Sequence, residues 1–147
     1  MISWGLEKGF LAEFDWVGTK DPTPYLAAPE GIAFIRDLGL EAMHAHNHGI
    51  AWEAARLLGT RWNTPYEIPE GMVGTMVTVP LPDRLGSTSE DAARIRDALL
   101  VKDRIEVQLH AWKGRLWTRV SAQVYNDIED VERLAAAIAA PIPSSTV

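Results

Sequence analysis

The sequence predicts an α+β fold: a three-stranded, mainly antiparallel sheet with helices packed on one face, in the order α-α-β-α-β-β-α. Three observations carry this. Apolar residues recur at helical spacing in several stretches bounded by Gly or Pro. Two alternating runs, RIEVQLHAW and RLWTRVSAQVYN, flank Lys113-Gly114 as a β-hairpin. A third alternating run, MVGTMVTVPLP, precedes the hairpin by one helix. A right-handed crossover of that helix puts the last strand in the middle of the sheet.

Taken in order, residues 1–20 read as an irregular arm. Asp21-Pro22 offers an N-cap followed by proline at the first helical position, with a short turn expected through Ala28. Pro29 then starts a second helix, PEGIAFIRDLG, with Ile32, Ile35 and Leu38 at helical spacing and Gly39 as its stop. Leu40–Leu58 is the longest helical candidate, with Leu40, Met43, Ile50, Ala54 and Leu57 tracing one face. TRWNTPYEIPEG is a loop. In the first strand Val73, Thr75, Val77 and Val79 share one side, and Pro80 and Pro82 close it. GSTSEDAARIRDALLVKD is a helix, with Ser87 and Glu90 as a capping box and Ile95 and Leu99 as core contacts. After the hairpin, Asn126 and Glu129 repeat the capping pattern. The closing helix presents Ile128, Val131, Leu134, Ala135 and Ile138 on one stripe. The domain is thus read as 21–140, with 141–147 as a tail.

Composition narrows the partners. The 147 residues suit one domain, and the net charge is −6 with basic residues dispersed. A nucleic-acid partner needs a concentrated positive footprint, so none is expected. No apolar run reaches the ~20 residues of a membrane helix. There is no cysteine, which excludes disulfides and thiolate ligands and fits a cytoplasmic setting.

Candidate chemistry falls at three places. Arg119 sits on the central strand and alternates with Thr118 and Val120, so its guanidinium points away from them. On an open sheet face it can take a carboxylate through two parallel charge-assisted bonds; the plainer reading is a solvated strand arginine. Gly18-Thr19 precedes a helix start. A permissive backbone, a hydroxyl and free amides can hold a phosphate; the plainer reading is a turn into a capped helix. In HAHNH, His44 and His48 stand one helical turn apart, as metal ligands do, but no third ligand is apparent.

Specific motifs join these signals. ISWG at 2–5, FDWVGTKDPTPYLAAPEGIAFIRDLG at 14–39, MVTVPLP at 76–82 and RVSAQVYNDIEDVERL at 119–134 resemble, in order, the C-terminal small domain of class V aminotransferases. These are fold-type I pyridoxal-phosphate enzymes, and the resemblance is to the isopenicillin N epimerase-like branch. It implies that residues 1–20 continue from a large domain absent here. It implies that Gly18 and Thr19 contact the cofactor phosphate of a neighbouring subunit in a two-fold dimer, and that Arg119 holds the α-carboxylate of an amino-acid substrate.

The same resemblance exposes a departure. Such enzymes need a lysine that forms a Schiff base with pyridoxal 5'-phosphate. Lys8, Lys20, Lys102 and Lys113 all lie outside the expected context. No catalytic residue and no metal ligand is therefore assigned. The chain alone is expected to bind no cofactor and to be silent, its parent being an aminotransferase or epimerase whose large domain is the missing partner. Apolar surface left by that domain predicts a homo-oligomer. The alternative is a stand-alone, non-catalytic ligand-binding or interaction module that reuses the fold.

Overall fold

The computed structural model describes residues 5–15, 18–64 and 67–141. The chain divides into two compact units, Met1–Leu40 and Glu41–Val147. Of the expected features, most of ISWG and residues 142–147 of the tail lie outside the described residues.

The first unit is helical. Helix α1 runs Phe10–Asp15, where an irregular arm was expected. The Phe10 and Phe14 rings, one turn apart, stack with centroids 4.8 Å apart. Helix α2 runs Thr23–Leu38 as one piece, so Pro29 lies inside it rather than starting a second helix. A proline there deprives the preceding turn of one hydrogen bond. Asp21 does cap, from one residue further out: its Oδ1 accepts from the Thr23 amide at 3.0 Å. Hydrogen bonding from Thr23, its side chain first and its amide second, holds the Asp21 carboxyl below its ordinary value. No residue of α2 is buried; Ile32, Ile35 and Leu38, expected to pack, are exposed. Gly39, at φ 85°, ends the helix as expected.

The second unit holds the sheet. Helix α3 spans Leu40–Arg61. Strand β1 is Met76–Pro80, helix α4 Ser89–Ala98, strands β2 and β3 Gln108–Trp112 and Arg115–Ser121, and helix α5 Ile128–Ala139. The sheet order is β1-β3-β2 with both pairings antiparallel. The hairpin turns at Lys113 (φ 48°) and Gly114 (φ 73°), the left-handed pair of a tight two-residue turn.

One face of the sheet makes the core. Val77 and Val79 of β1, Leu109 of β2 and Leu116 and Thr118 of β3 are buried on it. They meet Val131, Leu134, Ala135 and Ile138 of α5, the stripe the sequence predicts. Each fully buried aliphatic side chain, such as Ile95, Leu116 or Ile138, stabilises by about 1.5–3 kcal/mol. Helix α3 turns a different face inward than its large residues suggest. Asn47, Ala51, Ala54 and Leu58 are buried, and only Ala54 was on the expected face. Two alanines let the helix backbone approach closely, which a count of bulky side chains misses.

Three boundaries shift. Strand β1 starts at Met76, because residues 70–72 form a short 3-10 turn and Val73 precedes the ladder. The capping box of α4 is Thr88 with Asp91, one residue later than Ser87 with Glu90. That of α5 is Asp127 with Asp130, again one residue later than expected.

Candidate functional site

The face of the sheet opposite the core carries the candidate site. Alternation along β3 sends Thr118 inward, to 1% exposure, and leaves Arg119 exposed, as the sequence predicts. In register, Arg119 lies between Thr78 of β1 and Gln108 of β2. Both neighbours are exposed on the same face. The Arg119 side chain makes no hydrogen bond or ion pair among the described residues, so its guanidinium is available to an anion.

Two residues before it on that face, Trp117 is covered. Its ring packs edge-on to Trp112, with centroids 5.6 Å apart, and under the Arg115 guanidinium at 5.6 Å. The Trp117 indole N–H donates to the Trp112 carbonyl at 3.1 Å. Arg115 is committed to structure: it donates to the Leu81 carbonyl at 3.2 Å and lies 3.4 Å from Asp83. Two arginines of one strand face thus have opposite roles, one spent and one free.

Beside Arg119 an open groove of about 510 Å³ runs between the chain entering β2 and the chain leaving β3. Arg104, Glu106, Gln108, Tyr125 and Asn126 also line it. The wall at 122–127 is pinned from α3. His46 Nε2–H donates to the Asn126 carbonyl at 3.1 Å, and Asn47 Nδ2 donates to Gln123 Oε1 at 3.3 Å. Asn126 Oδ1 in turn accepts from the Gln123 amide at 3.1 Å. Asn47 Oδ1 is buried without a partner among the described residues.

These bonds explain the histidine-rich stretch. His46 anchors the groove wall, while His48 donates from Nδ1 to the Val73 carbonyl at 3.0 Å and sits 3.6 Å from Glu70. The side chains go to separate partners. Among the described residues no three His, Asp or Glu side chains come together to hold a metal. The anchoring role of His46 and Asn47 escaped the sequence reading, which weighed the stretch for ligation only.

Gly18 and Thr19 belong to the first unit. Gly18 adopts φ 102°, in which a side chain is strained, and no described residue beyond its chain neighbours lies within 4 Å of where its Cβ would stand. Thr19 is exposed, and its hydroxyl has no hydrogen-bond partner among the described residues. Of the lysines, Lys113 is over the Trp112 ring at 4.4 Å, and Lys8, Lys20 and Lys102 are exposed.

No protein-family profile matches the chain. Individual proteins do. It is 31% identical to the putative L-cysteine desulfhydrase 1 of Oryza sativa subsp. japonica, across 94% of this chain and 33% of that protein. It is 33% identical to the probable chloroplastic L-cysteine desulfhydrase of Arabidopsis thaliana, across 88% of this chain and 30% of that one. It is also 33% identical to the isopenicillin N epimerase of Streptomyces clavuligerus, across 87% and 31%. The chain spans about a third of the length of the curated relatives it matches. These relatives are class V aminotransferase-like pyridoxal-phosphate enzymes. The chain is similar to that one segment of them.

Proposed function

We propose that the chain is the C-terminal domain of a pyridoxal-phosphate enzyme acting on an amino acid, and that it supplies substrate recognition rather than the reactive lysine. The observation that carries this is the free, exposed guanidinium of Arg119 on the central strand. A planar fork with no internal partner, held on a rigid strand, matches a carboxylate in two parallel bonds. The names of the relatives narrow the chemistry to desulfhydrase- or epimerase-type reactions.

Pyridoxal phosphate, when bound, supplies the electron sink for such reactions. The residues of this chain that would touch it are Gly18 and Thr19. The glycine turns the backbone so that amides face an anion, and the Thr19 hydroxyl donates to a phosphate oxygen. In this reading the phosphate belongs to the neighbouring subunit of a two-fold dimer. No lysine of this chain fits the Schiff-base role. A lysine-bearing large domain is therefore the proposed partner, and the chain alone is proposed to be inactive.

Exposed apolar side chains in the first unit, among them Phe10, Leu11, Tyr25, Leu26 and Phe34, support a homo-oligomer. Among the described residues no helix is long and apolar enough to cross a membrane. The lack of cysteine fits a reducing compartment such as the cytoplasm.

The test is reconstitution. The chain is mixed with pyridoxal phosphate and the lysine-bearing portion of the Streptomyces clavuligerus relative. Turnover of an amino acid should require both parts and fall sharply with Arg119→Gln. Turnover by the chain with cofactor alone, or an Arg119→Gln mixture as active as the parent, overturns the reading.

A further inference from the structure

We infer that Arg104 is a second anion anchor in the groove beside Arg119, so that the site selects ligands with an acidic group at each end. This rests on the reading of Arg119 as a carboxylate binder and adds the class of ligand.

The charges in the groove divide into spent and unspent. Arg133 is 3.3 Å from Asp130, and Asp130 also accepts from Asn126 Nδ2 at 3.1 Å. Asp127 accepts from the amides of Glu129 and Asp130, at 2.9 and 3.2 Å, as the cap of α5. Those three side chains are occupied by the fold. The side chains of Arg104, Arg119 and Glu106 are exposed and make no hydrogen bond or ion pair among the described residues. The lining is formally balanced, three arginines against three carboxylates, but Asp127 and Asp130 are held by the start of α5 and Arg133, which leaves the Arg104 and Arg119 guanidiniums as the unengaged cations.

Arg104 is placed there by a specific turn. After α4 the chain makes one π turn, Leu99–Asp103. The Leu99 carbonyl accepts from the amides of both Arg104 and Ile105, the latter at 3.1 Å. This closure puts Arg104 in the left-handed region, at φ 57°. Glycine is the usual residue at such a helix end, because it has no side chain to strain. An arginine accepts that strain here and presents a guanidinium to the groove. Leu99 is 1% exposed, so the turn is anchored in the core. Both guanidiniums therefore hang from fixed backbone, one from the π turn and one from the central strand.

Butyrate and glutarate differ only in the second carboxylate and serve as probes, titrated into the full chain at low ionic strength. Binding is read by calorimetry and by the arginine Nε–H resonances. Glutarate should bind about tenfold more tightly than butyrate, the size expected for one additional charge-assisted contact. Arg104→Gln should reduce that preference to about twofold or less and leave butyrate affinity in place. Glu106→Gln should tighten both probes. A wild-type chain without a preference for glutarate, or a preference that survives Arg104→Gln, overturns the second anchor. Butyrate affinity unchanged in Arg119→Gln overturns instead the carboxylate reading of Arg119 on which it rests.

Discussion

The indole N–H of Trp62 donates to the Ala135 carbonyl at 3.1 Å, tying the chain just past α3 to the middle of α5. Trp62 is 6% exposed and Ala135 4%, so the bond lies out of water. Trp62→Phe keeps most of the ring packing and loses the donor. It should cost about 1 kcal/mol in urea unfolding. Trp62→Ala, which also opens a cavity, should cost about 3–5 kcal/mol.

Acid should weaken the start of α4 through Asp91. Its carboxylate accepts from the Thr88 hydroxyl at 2.9 Å and from the Thr88 and Ser87 amides. The bonds from Thr88 come first among the causes that lower its pKa, from 3.8 to about 2. A depressed folded value means the contribution is complete above the ordinary value and is lost as pH falls through the folded one. Melting temperature followed down this interval should drop for the wild type. Asp91→Asn should drop less over the same range, having lost the charge at the outset.

Gly86 guards the same cap. It sits at φ 104°, and a Cβ built on it would strike the Asp91 carboxylate. Gly86→Ala should therefore destabilise by about 2 kcal/mol or more, combining backbone strain with a displaced cap. A thermal melt indistinguishable from wild type would refute this.

The two arginines on the open face of β3 should separate cleanly. Arg119→Gln should leave unfolding free energy within about 0.5 kcal/mol of wild type, since nothing in the fold leans on it. In the assembled enzyme it should lower kcat/KM about a hundredfold, the scale of a lost bidentate carboxylate contact. Arg115→Gln should do the reverse, destabilising the domain while leaving carboxylate binding intact. Chemical denaturation and ligand titration on both variants check the pair.

Much of this was legible in the residues. The hairpin was, because Gly114 suits positive φ and strict alternation fixes which side chains face inward. So was the outward aim of Arg119, which follows from its alternation with Thr118 and Val120; the buried Thr118 hydroxyl donates to the Gln108 carbonyl. The caps slipped by one residue because Ser87 and Thr88, like Asn126 and Asp127, are both competent side by side. Backbone geometry chooses: Thr88 and Asp127 are the extended residues. Pro29 was misjudged because proline usually starts helices rather than interrupting them. Arg104 was invisible, since its position depends on a π turn that no periodicity announces.

The position of β3 has a further consequence. It is bonded along both sides, and Arg119 is paired with strands on its left and its right. Local opening in proteins starts where backbone is least enclosed, and a strand flanked twice opens last. Amide deuteration should accordingly reach Thr118 and Val120 only in molecules that have unfolded globally. Arg119 is then mounted on the slowest-exchanging part of the domain, and any ligand would meet it in one fixed orientation.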